Sequence, residues 1–511
     1  MTLRRERSRM PIPRRLVITL LGVSLLSTAC GARLTDEQRT DALRSGVSSI
    51  SGVADDGTTT LADGTVVDAS DPGAVPDGLD TAAGGGSGAP VGGLATAAPG
   101  ASGATASGAS ADTRAAPAGG NGGATDIGVT ADKIVISNVS DISGAVPGLF
   151  KDAQDAVKAY VRYFAATEGT IYGRRLELLP LDSRLDTGAN RSASLQACNE
   201  SFAGAGSVSA FDQGGAPVIA ECGLPDVRGL ATTDQMKAVP SVFPINAAGT
   251  GGARNMGVYG YPAQAFPDAV KKAAFLFIDG EVTRDLAEQD IEGAEASLGY
   301  DFIYQQAIGL SETNYSPFVQ QMKSKGVRYV TFVGAYQQAA SLAKTMRQQG
   351  FTPDVYAPTV TSYTPEYIKF GGAAVEGSYV AVSPSLIEEI AGNRELQLYA
   401  QFLQQVDPGA MPTGIGQYAW AAARLFVEKA KEIGPNLTRK ALLSKLPSVH
   451  SYTGGGLFPP EDVGGRVITD CTQFVQVRNG KFVRVEPTQV GKRRCGDGVW
   501  DSKTDRIVKR G

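Results

Sequence analysis

From Ile127 to Val485 short apolar runs alternate with longer stretches whose apolar residues recur at helical spacing. Such a chain has few ways to bury its apolar residues. Each strand–helix–strand passage forms a right-handed unit, and successive units build parallel sheets covered by helices. The first unit is Lys133 to Ala165, KIVISNVSDISGAVPGLFKDAQDAVKAYVRYFA. Ile134, Val135, Ile136 and Val139 read as a buried strand. A loop carrying Asp141, Ser143 and Gly144 follows. Ala153, Ala156, Val157, Tyr160, Val161 and Phe164 then form one apolar helix face, with Phe150 at its start. Free backbone N–H groups at such a helix start can hold a polar or anionic ligand group.

Further strands are expected at Leu176–Leu181, Ser207–Phe211, Ala273–Ile278, Phe302–Ala307, Val327–Val333 and Val355–Pro358. After Ala273–Ile278 a helix carries Ala287, Ile291, Ala294 and Leu298 on one face, and Gly299 stops it. The next unit repeats the plan: Gly326, the strand VRYVTF, the loop Gly334-Ala335-Tyr336, and a helix ending at Gly350. The fold class is therefore α/β, with two doubly wound lobes, and ligands of open α/β sheets bind beyond the carboxyl ends of the strands. A length of 511 residues agrees with more than one core.

Other chemistries find little support. The net charge of −4 and the mixed signs after position 130 argue against nucleic acid. The one histidine, His450, lies in SVHSYTGGG with no ligand-spaced partner, so neither a metal site nor a catalytic triad is expected. The glycine-rich stretch GTGGARNMG has no Lys-Ser/Thr and is not a phosphate cradle. No nucleophile motif suggests an enzyme, and no cofactor is expected.

The N-terminus reads as a targeting segment. Arg4, Arg5, Arg7, Arg9, Arg14 and Arg15 precede the apolar run Leu16–Leu26, which is too short to cross a bilayer of about 30 Å. Leu26-Ser27-Thr28-Ala29-Cys30 resembles a bacterial lipoprotein cleavage box, with Ser27 where leucine is usual. The resemblance implies a signal peptide over 1–29 and lipidation of Cys30, on the outer face of the cell membrane. Residues 30–126 are mostly Gly, Ala, Ser, Thr, Asp and Pro and read as a disordered tether, with a short helix possible over 35–53. As a flexible coil it reaches roughly 50 Å. Four cysteines remain, enough for two bridges in an exported protein. Adjacent pairing gives Cys198–Cys222 and Cys471–Cys495, with other pairings open.

Residues 127 to 485 resemble, in order, the branched-chain amino acid binding family of transporter receptors, with its type I periplasmic-binding fold. ISNVSDISG is similar to the family's opening strand and first cleft loop, and GTIYGRRLELLPLDS to its glycine-basic turn and second strand. KKAAFLFIDG, ASLGYDFIYQQAIGLSETNYSPFVQQMKSKGVRYVTF and AAVEGSYVAV resemble its second lobe. GQYAWAAARLFVEKAKEIGPNLTRKALLSKL and TGGGLFPPEDVGGR resemble its closing helices and last crossover.

The resemblance implies lobe I over 127–248 and 382–453, lobe II over 249–381 and 454–485, and a C-terminal tail over 486–511. Three crossings are implied near Ala247–Gly251, Ala381–Pro384 and Gly454–Leu457. It places the ligand against Ser143, Gly144, Phe150, Asp212, Gln213, Thr232 and Thr233 in lobe I. Tyr336, Thr361, Ser362 and Tyr363 face it from lobe II, with Tyr418 or Trp420 from the last helix. The Cys198–Cys222 pair resembles the family's first-lobe disulfide. Amino acid binders place a carboxylate opposite the ligand ammonium where this chain has TVTSYT, so Asp279 or Glu281 would have to serve. The implied function is a monomeric, lipid-anchored receptor. It hands a small polar ligand, such as an amino acid or amide, to an ABC importer by hinge closure. A ligand sensor of the same fold is the alternative.

Overall fold

The computed structural model describes residues 58–60, 66–68 and 113–508. The signal segment, Cys30 and the tether up to residue 112, apart from an antiparallel pair of Thr58–Thr60 with Val66–Asp68, lie outside the described residues.

The body opens with strand β1 (Lys133–Ser140), helix α1 (Lys151–Thr167), β2 (Arg175–Asp182), α2 (Thr187–Glu200), β3 (Ala203–Ala205) and β4 (Asp226–Val227). These four strands form a parallel sheet in the order β2-β1-β3-β4. The chain continues through β5 (Ala253–Asn255), β6 (Ala273–Ile278), α3 (Glu281–Leu298), β7 (Tyr304–Ile308), α4 (Ser316–Ser324), β8 (Tyr329–Val333), α5 (Tyr336–Gln348) and β9 (Val355–Pro358). A second parallel sheet has the order β9-β8-β6-β7. Then come β10 (Tyr379–Val382), α6 (Arg394–Leu403), α7 (Gly414–Ile433), β11 (Gln473–Arg478), β12 (Lys481–Glu486), β13 (Val499–Asp501) and β14 (Arg506–Val508). Two small antiparallel sheets, β10-β11-β12 and β14-β13-β5, complete the second lobe.

The apolar face read from the sequence is the one α1 buries. Ala153, Ala156, Val157, Tyr160 and Phe164 pack with Trp420 and Phe426 of α7 in the lobe I core. The chain therefore returns to lobe I after β10. Gly299 ends α3 in the left-handed conformation, φ 74°, which glycine adopts without penalty. Asp186 caps α2 by accepting from the Ala189 backbone N–H at 2.7 Å.

Four expectations need correction. Ser207–Phe211 is a loop, and the strand is Ala203–Ala205 just before it. Its small residues give no apolar signal, yet size is what the position demands: a Cβ on Gly204 would lie 2.4 Å from Asp226 Oδ1. The body begins before Ile127. Tyr172 donates its N–H to Thr113 O at 2.7 Å, and the amide of buried Asn121 donates to Ala131 O and Tyr172 O at 2.8 and 3.0 Å. Backbone hydrogen bonding thus fixes a segment too polar to read as structured. Residues 499–508 are not a tail, since β13 pairs with β5 and Trp500 is buried in the lobe II core. The third crossing lies later than Gly454–Leu457. Leu457, Phe458 and Val463 belong to the lobe I core, and the chain passes between lobes near Ile468, which packs on Ala247 of the first crossing. Both adjacent cysteine pairs, Cys198–Cys222 and Cys471–Cys495, are disulfides. Among the described residues no helix is long and apolar enough to cross a membrane.

Candidate functional site

A cavity of about 520 Å³ lies between the lobes, lined by both of them and by the crossings. Leu230 and Ile415 of lobe I face Val258, Leu286, Val333 and Phe474 of lobe II across it. A smaller cavity of about 230 Å³ adjoins it and shares Phe150, Val360, Thr361 and Ile415. Most of the wall surface of the larger space is apolar, but Asp234, Lys237, Arg254, Asp285, Asp290 and Glu461 also line it.

The first polar point is ionic. Lys237 donates to Asp234 Oδ1 at 3.1 Å, its side chain 12% exposed against 62% for the aspartate. Burial pulls the Lys237 ammonium below its ordinary range, opposed by Asp234 and reinforced by nearby Arg254. Arg254 donates twice to Asp290, at 2.6 and 3.1 Å, and Tyr259 OH donates to the same carboxylate at 2.9 Å. Burial opposes the Arg254 charge, but the pair outweighs it and holds the guanidinium above its usual value. The second point is Glu461 beside the third crossing. It is 3% exposed, and burial pushes its carboxyl up to about 8 against the pull of the Thr469 backbone N–H and of Arg493.

The structure sorts the expected ligand residues. Phe150, Thr232, Thr233, Thr361 and Tyr418 line the main cavity; Tyr336 and Tyr363 line the smaller one. Ser143, Gly144, Asp212, Gln213 and Ser362 line neither. The first loop folds back on the end of β2 instead: Ser143 OH donates to Asp182 Oδ2 at 2.5 Å, and Gly144, φ +106°, lies against the Arg184 carbonyl. Buried Asp212 accepts the N–H groups of Thr232 and Thr233 at 2.9 and 3.0 Å and the Thr233 hydroxyl at 2.6 Å. The donors expected to reach a ligand carboxylate are therefore already satisfied by a protein carboxylate, and Asp212 shapes the loop from behind. Gln213 donates to Thr187 Oγ1 at 3.2 Å. Ser362 is buried, and among the described residues its hydroxyl has no hydrogen-bond partner.

Tyr363 is also buried, and its OH donates to Glu388 Oε2 at 2.5 Å while accepting from Ile387 N–H at 2.8 Å. Trp420 is a core residue, its ring N–H donating to Glu395 Oε1 at 2.7 Å. Asp279 pairs with Arg284 at 2.5 Å, outside both cavities. The Glu281 side chain lies outside the described residues. Sequence reasoning passed over Lys237, Arg254, Asp290 and Glu461. Asp290 was legible as a carboxylate among the apolar positions of α3, beside Ala287 and Ile291.

A periplasmic binding protein family model matches residues 133–486. Solved structures with the same fold include the fatty acid ABC transporter substrate-binding protein from Thermomonospora curvata. It is 19% identical, covering 74% of this chain and 99% of that one, with a TM-score of 0.60. The leucine binding protein LivK from Thermotoga maritima is 17% identical, covering 69% and 97%, with a TM-score of 0.58. A solute binding protein of an R. palustris ABC transporter, solved with 4-hydroxybenzoate, is 16% identical, covering 70% and 96%, with a TM-score of 0.58. No curated protein matches the chain. With two parallel-sheet lobes, a cavity between them and a family match over most of its length, the chain belongs to the periplasmic binding protein family.

Proposed function

We propose that the protein is an extracytoplasmic receptor, anchored through lipidated Cys30, that delivers an apolar-bodied organic acid to an ABC importer without chemical turnover. The observation that carries this reading is the interlobe cavity, whose mostly apolar wall includes the largely covered ammonium of Lys237. An apolar wall rewards removal of hydrocarbon from water, roughly 25 cal/mol per Å². A buried ammonium with three donors and one partly solvated partner favours a ligand carboxylate. A small polar amino acid, the expectation from family resemblance, would leave most of that wall unused. Each lobe supplies part of the contact surface, so ligand shifts the open–closed equilibrium toward closure.

The test is thermal unfolding of the purified protein with octanoate, dodecanoate, 4-hydroxybenzoate, leucine, isoleucine and simple amides. An apolar acid at a hundredfold over its Kd should add about 2.7 kcal/mol of stability, a shift of several degrees. Small-angle scattering should show compaction with the same compound. Lys237→Met should abolish the shift while the unliganded melting point changes little. Shifts with leucine or isoleucine alone would return the reading to amino acids.

A further inference from the structure

Two cations from opposite lobes converge at the first crossing. Lys237 closes a short turn of lobe I, whose Met236 is buried in that lobe's core. Arg254 is the middle residue of β5, which pairs with β13 in lobe II. Gly249 lies beside both: a Cβ there would stand 2.7 Å from Lys237 Nζ and 3.1 Å from Arg254 Nη1. Two nitrogens this near one point can both be reached by the two oxygens of a single carboxylate. Both side chains line the interlobe cavity, and each keeps 12% of its surface open. Asp290 engages Nε and Nη2 of the guanidinium, whereas Nη1 is the nitrogen turned to Gly249 and Lys237. Burial pulls the Lys237 ammonium down and the Arg254 charge adds to that pull, so an anion shared by the two cations relieves their repulsion.

Resting on the reading of the cavity as an organic-acid site, we propose that Arg254 is a specificity-determining ligand contact: the solute's carboxylate bridges Lys237 of lobe I and Arg254 of lobe II. The solute is then selected as an anion, because an amide or alcohol of the same body offers the two cations no charge. Asp290 takes Arg254 at 2.6 and 3.1 Å and Tyr259 OH at 2.9 Å, which fixes the guanidinium plane before any ligand arrives. A donor already held in place loses little freedom on binding. Asp234, 62% exposed, stays hydrated beside Lys237. A carboxylate shared by two lobes also ties them at the crossing, so recognition of the head group and closure become one event. The acids on the same wall, Asp234, Asp285 and Asp290, define the competing outcome, a cationic solute.

The experiment is isothermal titration of the full-length protein with octanoate, octanamide and octylamine. Octanoate is expected to bind the wild type on the order of a hundredfold tighter than octanamide, about tenfold for each charged contact. Arg254→Lys keeps a cation beside Asp290 but has no counterpart of Nη1. It should lose about tenfold for octanoate and leave octanamide unchanged. Gly249→Ala leaves the Arg254–Asp290 pair intact and puts a methyl where the two nitrogens converge, so it too should weaken octanoate selectively. A merely structural loss would weaken both ligands and leave their ratio alone. The proposal is overturned if Arg254→Lys and Gly249→Ala keep the wild-type ratio of octanoate to octanamide. If octanoate binding then still depends on Lys237, the organic-acid reading stands and this proposal alone is lost. If octanoate does not bind the wild type, whether or not octylamine does, the organic-acid reading fails and this proposal falls with it.

Discussion

At the scale of single residues, one loop of the cleft is organised by a carboxylate that faces the protein rather than the cavity. Asp212 was expected to meet the solute; instead it gathers three donors from Thr232 and Thr233, and Arg228 lies 3.7 Å away. Removing a fully buried acceptor strands those donors and takes from Arg228 one of its two carboxylates, leaving Asp226 at 3.3 Å. Asp212→Ala should therefore cost about 3 kcal/mol. Urea unfolding measures this, and an unchanged midpoint would refute the role. Residue type was readable here, but direction was not. A threonine pair before an acid reads equally as a ligand clamp or as a helix cap, and Thr233 indeed caps a short turn by accepting from Met236 N–H at 3.2 Å.

At the scale of elements, periodicity worked where apolar residues carry the signal and failed where small ones do. Ala273–Ile278 and Val355–Pro358 fall on strands with the expected bounds, because each is a run of residues suited to a buried parallel strand. Ala203–Ala205 has no such run. Its chain must pass close to α7: Gly206 has φ +67°, and a Cβ there would lie 2.6 Å from Val157 Cγ2 and 2.8 Å from Ala419 O. Gly206→Ala combines backbone strain with overpacking and should destabilise by more than about 2 kcal/mol. Gly299→Ala, in an equally left-handed but open position, should cost less. Equal losses for the two variants in chemical unfolding would show that close packing at β3 is not what selects glycine.

At the scale of the whole molecule, the C-terminal segment packs beside the crossings between the lobes. Cys495 is bonded to Cys471 beside the third crossing, and Arg493 ties the second crossing at Ser383 to lobe I at Leu457. Each disulfide closes a sequence separation of 24 residues, so replacing either pair by serine should cost about 3 kcal/mol. Their effects on binding should differ. If the proposed apolar acid binds the wild type, the Cys471→Ser/Cys495→Ser protein should show an altered affinity for it, because the crossing beside that bridge is loosened. Cys198→Ser/Cys222→Ser, remote from the crossings, should not. Calorimetric titration of both variants decides this, and equal affinities would separate the Cys471–Cys495 bridge from closure.

The sequence by itself determined the α/β class, the two lobes, and the strands and helices with strong apolar period. These follow from local rules, alternation and helix stops; which cysteines pair was decided by the fold. Only the tertiary structure decided which polar groups face the cavity. Lys237, Arg254 and Glu461 come from separate stretches of the chain, and their environment is set by burial and, for Arg254 and Glu461, by Asp290 and Arg493 from elsewhere in the sequence. The same is true of Thr232 and Thr233, whose donors are spent on Asp212. Electrostatics of this kind depends on what is excluded from water, and that is a property of the closed surface rather than of any segment.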